Sequence, residues 1–242
     1  MNMNEMMQFL RQIPGKLGGN SYSSIANQNA PSNVAFLRQL QREMKRQDVL
    51  ETPFKELKLV VFDIETTGFH PYNGDQILSI GAVKIHGETV LEEETFYSLV
   101  YNEKGPSPEI EALTGISKND LLVAPPIDKV LTDFFQFVKS DPLVAHHANH
   151  ERSFMQHATW STLKTRFEHR VIDTSFLTKI NEPNLNYVSL DDWCNHYEIS
   201  MKRRHHAFDD ALATAMLWVK SVRLIKEQGF NHLKDVYSYL AR

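Results

Sequence analysis

The chain has 242 residues, 42% of them hydrophobic and 23% charged, with a formal net charge of -4. That composition suits a globular protein long enough to bury a full core, and the negative balance argues against one held to nucleic acid by bulk charge alone. The single cysteine, Cys194, excludes an internal disulfide framework, and no apolar run approaches the ~20 residues that cross a bilayer.

The N-terminus, MNMNEMMQFLRQIPG, carries Glu5 and Gln8 where a secretory peptide needs unbroken apolar residues, so the expected compartment is the cytoplasm. Met6, Phe9, Leu10 and Ile13 fall at helical spacing and stop at Pro14-Gly15, which predicts a short amphipathic helix. A linker follows, KLGGNSYSSIANQNAPSN, and then a second helix from about Ser32 to Gln47 with Leu37, Leu40 and Met44 on one face. Residues 1–55 hold seven Lys and Arg against four Asp and Glu, about +3; the remainder holds 19 (26 less 7) against 26 (30 less 4), about -7. With the boundary placed near Thr52-Pro53, residues 1–55 form a basic extension of two short helices and a linker, and residues 56–242 form the main domain.

From Leu57 the pattern changes to strands: KLVVF, then QILSIGAVKI, a turn at His86-Gly87, and TFYSLV, three antiparallel neighbours. Beyond them come a helix around Ile127 to Val138, a short strand PLVAH, a helix from Glu151, a strand at Arg170 to Ile172, and helices to the end. The fold class is α/β with a mixed sheet.

The chemistry starts in VVFDIETTG. Side chains alternate across a strand, so Asp63 and Glu65 share a face at the point where Thr66-Thr67-Gly68 turns the chain away. Two like charges at the edge of a core are costly without a cation between them, and hard oxygen ligands with no cysteine beside them suit Mg²⁺ or Mn²⁺. Taken alone, such a pair also reads as two harmless acids at a solvated strand end. Further acids come in RRHHAFDDALATAMLWV: Asp210 begins an apolar helix in which Ala211, Ala213 and Ala215 allow close packing, and His205, five residues earlier, sits on the preceding loop. A histidine there accepts a proton at neutral pH while Asp210 closes a metal site; Asp209 reads as a helix-start acid.

FDIETTG, the TGI at Thr114 to Ile116, LVAHHANHE, the IDT at Ile172 to Thr174 and the H-x4-D of His205 and Asp210 occur in the order found in the DEDDh 3′-5′ exonucleases. Over residues 57 to 225 the chain resembles that family, which includes the proofreading epsilon subunit of bacterial DNA polymerase III. The resemblance implies a ribonuclease-H-like, mixed five-stranded sheet flanked by helices. It implies that Asp63, Glu65 and Asp210 ligate two metal ions, with Asp63 bridging them and His205 as general base. Thr66, Gly68, Phe69 and Thr114 would lie against the terminal nucleotide, and the products would be nucleoside 5′-monophosphates. The family pattern H-N-A-x-F-D reads His146-His147-Ala148-Asn149-His150-Glu151 here, so the fourth catalytic and metal-binding carboxylate is Glu151, one methylene longer than aspartate.

The expected substrates are nucleic-acid 3′ ends, single-stranded DNA first and RNA as the alternative, with a DNA polymerase or another protein as partner of the basic extension. Two other assignments compete. His146 and His150 have the i, i+4 spacing of a zinc pair, but LVAH reads as strand. A non-catalytic binding module on the same fold would keep the shape and lose the metal. The remaining histidines, with Phe134, Phe137, Trp193 and Tyr197, read as core.

Overall fold

The computed structural model describes residues 30–241. The predicted helix over Met6 to Ile13, the linker as far as residue 29 and the side chain of Leu37 lie outside that description. Helix α1 (Ala30–Arg46) opens it. Leu40 is buried in the core, with Phe36 and Met44 packed beside it.

The compact unit runs Phe36–Arg242 and so includes residues 36–55, which the sequence assigns to the extension. Packing explains the difference. Val49 and Leu50 lie against the second core cluster and Phe54 is buried within it, while Phe54 N–H donates to Asn231 O (2.8 Å) and Lys234 N–H to Leu50 O (3.1 Å). An amphipathic stripe looks the same in sequence whether it covers its own domain or waits for a partner.

The sheet contains β1 (Lys58–Thr66), β2 (Ile77–His86), β3 (Thr89–Leu99), β4 (Leu143–Ala145) and β5 (Val171–Asp173) in the order β3-β2-β1-β4-β5. β1, β2 and β3 pair antiparallel as the hairpin spacing predicts, and β4 and β5 add in parallel on the other side of β1. β1 is thus central and, in the main, buried on both faces, which is why it reads as a continuous apolar run. Val60, Phe62 and Ile64 face the cluster made with α4 (Ile127–Val138) and α5 (Asn149–Leu163). Leu59 and Val61 face the cluster made with α8 (Ala207–Glu227) through Trp218, Val222 and Ile225, and with α9 (Leu233–Leu240) through Leu233 and Val236.

α6 (Ser175–Asn181) and α7 (Leu190–His196) precede α8. Two short helices, α2 (Pro108–Thr114) and α3 (Lys118–Leu122), were not foreseen. Each starts on a serine cap: Ser107, followed by Pro108, accepts from Ile110 N–H, and Ser117 forms a reciprocal capping box with Asp120. Among the described residues no helix is long and apolar enough to cross a membrane.

Candidate active site

Asp63 and Glu65 continue the face of β1 that begins with Leu59 and Val61, so they point towards the start of α8. Asp63 pairs with Gly81 on β2, and that glycine decides how close the helix comes. A Cβ on Gly81 would lie 2.3 Å from the carbonyl carbon of Ala207 and 2.3 Å from the amide nitrogen of Phe208. Without it the first turn of α8 settles on the sheet and brings Asp210 to the strand. One ligand oxygen each from Asp63, Glu65 and Asp210 then lie within 4.8 Å of one another.

Below them the register slips between Glu65 and Thr66, and the chain turns. Asp75 holds the turn, accepting from Thr67 Oγ1 (3.2 Å) and His70 N–H (2.9 Å). A Cβ on Gly68 would come within 2.5 Å of that carboxylate, so glycine keeps the turn tight.

Glu151, in the first turn of α5, is 4% exposed, and its Oε2 is buried without a partner. Asp210 leaves Oδ1 in the same condition. Burial, then the carboxylates of Glu151, Glu65 and Asp210, push Asp63 well above the usual range. Burial and then Asp210 push Glu65 up to about 8; burial, with Asp173 and Glu65, does the same for Glu151, to about 8. Glu151 therefore joins the cluster through its influence on Asp63 while lying outside the three mutually closest donors. Orphaned, buried carboxylate oxygens crowded against like charge fit a hard divalent cation.

The sequence reading missed Arg204. Its Nε donates to both oxygens of Asp191 (2.9 and 2.8 Å) and its Nη1 to Asp210 Oδ2 (2.5 Å). His205 N–H donates to the same Oδ2 (3.0 Å), so that oxygen is fixed while Oδ1 stays free. Arg203 holds Asp209 (2.6 Å) in parallel, which makes Asp209 a buried anchor as well as a helix-start acid. The double arginine before the histidines was the available signal. Asp173 was also missed as a brace: it accepts Ala148 N–H (3.0 Å) and Ser175 N–H (2.8 Å), fastening the end of β5 to the start of α5 beside Glu151.

His205 sits on the loop before α8, as expected, with a left-handed φ of 57°. Burial and then the Arg204 guanidinium lower its pKa against the pull of Asp210 and Asp191, so at neutral pH the ring is free to take a proton. Thr66 Oγ1 donates to Gly68 O (2.7 Å) and lies 3.5 Å from His150 Nε2. Phe69 is 78% exposed, its ring 5.8 Å from that of His150. Thr114 bonds within its own turn, to Ile110 O and Ile116 N–H, and borders a cavity of about 500 Å³ together with Arg203, Arg204 and His206.

The zinc alternative fails on geometry: His146 already uses both ring nitrogens, Nδ1 with Thr174 Oγ1 (2.7 Å) and Nε2 with Val188 O (3.0 Å). Phe134 and Trp193 are core as expected, with Phe137 and Tyr197 packed at its margin; of the other histidines, His169 is buried while His70 and His86 are exposed.

The exonuclease (RNase T) family model matches residues 60–218. The chain is 36% identical over 185 residues to a DNA polymerase III PolC-type protein of Caldanaerobacter subterraneus subsp. tengcongensis, covering 76% of this chain and 13% of that protein. It is 34% identical over 182 residues to a DNA polymerase III subunit epsilon-like protein of Rhodobacter capsulatus, covering 74% of this chain and 26% of the relative. Among solved structures, the nuclease domain of 3′hExo, a DEDDh family member bound to rAMP, superposes with a TM-score of 0.60 at 17% identity, over 71% of this chain and 94% of that one. The chain spans only a small part of the polymerase III relatives; the family model's span, residues 60–218, carries every carboxylate described above. The chain therefore belongs to the exonuclease family, as a hydrolytic nuclease domain related to bacterial DNA polymerase III proteins, on a ribonuclease-H-like fold that it shares with a DEDDh nuclease domain.

Proposed function

We propose that this domain is a 3′-5′ exonuclease that removes nucleoside 5′-monophosphates from single-stranded DNA or frayed 3′ ends. One observation carries the assignment: one oxygen each from Asp63, Glu65 and Asp210 lie within 4.8 Å of one another, while Asp210 Oδ1 and, on α5, Glu151 Oε2 are buried without a partner. Asp63, Glu65, Asp210 and Glu151 would hold two ions, Mg²⁺ or Mn²⁺. When bound, such ions supply Lewis acidity to both the attacking and the leaving oxygen of an in-line displacement.

The chain's own residues do the rest. His205 takes the proton of the attacking water, its loop pinned by the hydrogen bond to Asp210. Arg204 fixes Oδ2 of Asp210 so that Oδ1 keeps one direction. Phe69 stands beside the terminal base, and Thr66, Gly68 and Thr114 border the terminal nucleotide.

The polymerase III relatives favour DNA; a neighbour bound to rAMP makes exoribonuclease the second reading, since discrimination rests on contacts to one 2′-hydroxyl. The cytoplasm is the proposed compartment, and the basic N-terminal segment the proposed arm for a polymerase or another protein. Strands of DNA and RNA labelled at the 5′ end, single and duplex, incubated with pure protein in Mg²⁺, Mn²⁺ or chelator, test the whole assignment. A ladder shortening from the 3′ end only in metal supports it; uncut strands, or products shortened from the 5′ end, overturn it.

A further inference from the structure

We infer that the half-buried flank of α5 that holds His150 and His157 carries a second base-binding subsite, which seats unpaired nucleotides upstream of the bond being cut. The inference rests on the exonuclease assignment for the identity of the occupant, and on geometry for the place. α5 presents His150 and His157 seven residues apart, two helical turns along one face. Each has an exposed aromatic ring edge-on to it: Phe69 against His150 at 5.8 Å, and Tyr72, 69% exposed, against His157 at 5.3 Å with the planes at 75°. His150 in turn touches Thr66, next to Glu65. The track thus begins at the carboxylates and leads outward.

Beyond Tyr72 it opens into a cavity of about 430 Å³ lined by His157, Ser161, Tyr101 and Lys104. Seven residues of helix rise about 10 Å, roughly three nucleotides at the ~3.4 Å spacing of a stacked strand. It is the alignment of Phe69 and Tyr72 along one track, and not the exposure of either ring alone, that marks an interaction surface.

The occupant follows from charge and ring geometry. With about -7 on residues 56–242, bulk attraction for phosphate is absent, and the nearby Asp75 is engaged by Thr67 and His70. Stacking on base faces is insensitive to that charge and is available only to unpaired bases. A duplex keeps its faces covered, so the track selects single strands.

The test uses the full chain with Tyr72→Ala, Tyr72→Phe and His157→Ala. Rates are measured on the p-nitrophenyl ester of thymidine 5′-monophosphate, which offers one nucleotide, and on oligothymidylates from about 2 to about 12 nucleotides. Tyr72→Ala should raise KM for the long strands about tenfold with kcat retained, and leave the nitrophenyl ester within about twofold. His157→Ala should move the same way, and Tyr72→Phe should match wild type. An unchanged KM for long strands, an equal loss on the ester, or a rise of the same size on blunt duplex overturns the subsite. If the wild-type protein cleaves nothing, the exonuclease assignment falls, and anisotropy of a labelled oligothymidylate in chelator decides the subsite separately: binding weakened about tenfold by Tyr72→Ala sustains it, and binding that is absent or indifferent to the substitution overturns it.

Discussion

The two faces of β1 differ in one respect that organises the whole molecule. On one face Val60, Phe62 and Ile64 are apolar in succession and bury against α4 and α5; on the other, Leu59 and Val61 give way to Asp63 and Glu65. The first face is a closed core. The second is a core interrupted by acid where α8 begins: Gly81 lets the helix bring Asp210 to close range, which adds to the like charge, and the Arg204 guanidinium offsets part of it. An active site here is the end of a helix–sheet interface from which apolar packing has been withheld.

Neighbouring substitutions should separate the two faces most sharply. Asp63→Ala is expected to cost on the order of 1000-fold or more in nuclease rate, because it removes the central carboxylate. In chelator its unfolding free energy should equal or exceed wild type, since burial and three acids oppose the Asp63 charge. Phe62→Ala, one residue away and fully buried, should do the reverse and cost about 3–5 kcal/mol of stability. Near wild-type cleavage by a clean Asp63→Ala preparation would remove the metal-site assignment.

Truncation probes how far the closed face extends. Removing residues 1–35 should leave the melting temperature of the compact unit nearly unchanged. Removing residues 1–52 strips Phe36, Leu40 and Met44 from the apolar cluster, and should cost at least the ~2–5 kcal/mol typical of losing one large buried side chain. Equal melting of the two truncations would show that α1 contributes nothing to the core.

In the acid cluster, Glu151→Ala should lose on the order of 100-fold in rate with partial rescue by Mn²⁺, while Glu151→Asp stays active. The same cluster has a pH signature. The folded pKa values of Glu65 and Glu151 lie at about 8, above the 4.5 of the unfolded chain, so the folded state binds more protons. In chelator their contribution to stability is full below pH 4.5 and is lost as pH rises through about 8. Metal affinity, which needs the ionised carboxylates, should climb over that same window, and titration calorimetry in buffers of different ionisation enthalpy would register the released protons.

Gly81→Ala tests the approach of α8 directly. The added Cβ meets backbone rather than a flexible side chain, so the helix start must shift. A loss of about 1–3 kcal/mol is expected, with a fall in rate larger than that of an equally destabilising change on the closed face. A fall no larger would mean that Asp210 reaches the site without this contact.

Much of this was written locally. The strand periods give β1 to β3 and their pairing, and alternation alone puts Asp63 and Glu65 together. What escaped reading depends on distant partners: Arg204 is ordinary in sequence until the fold sets Asp191 and Asp210 on either side of it, and Leu40 looks the same on a free arm as in a core. Helices α2 and α3 carried local signals, Ser107-Pro108 and Ser117-x-x-Asp120, that went unread beside their weak apolar pattern. Glu151 was legible as an acid in the right order, but its orphaned oxygen needed coordinates.

The smallest expected effect lies in the closed face and has the opposite sign in pH. His169, 9% exposed, stacks on Phe135 at 5.5 Å with planes 6° apart, and its Nε2–H donates to Lys139 O (2.7 Å). Burial lowers its pKa beneath the ordinary 6.5, although the bond to Lys139 pulls the other way. The unfolded chain therefore binds this proton more readily than the folded one. Stability from His169 is complete above pH 6.5 and is lost as pH falls below it, with a slope no steeper than about 1.4 kcal/mol per pH unit for one proton. His169→Gln keeps a donor of similar reach and cannot titrate, so denaturant unfolding measured between about pH 5 and 7 should show a shallower acid-side slope than wild type. The acid cluster, by contrast, should keep its loss of stability towards high pH unchanged in this variant. Identical slopes for wild type and His169→Gln would mean that the buried ring exchanges its proton as freely in the fold as outside it.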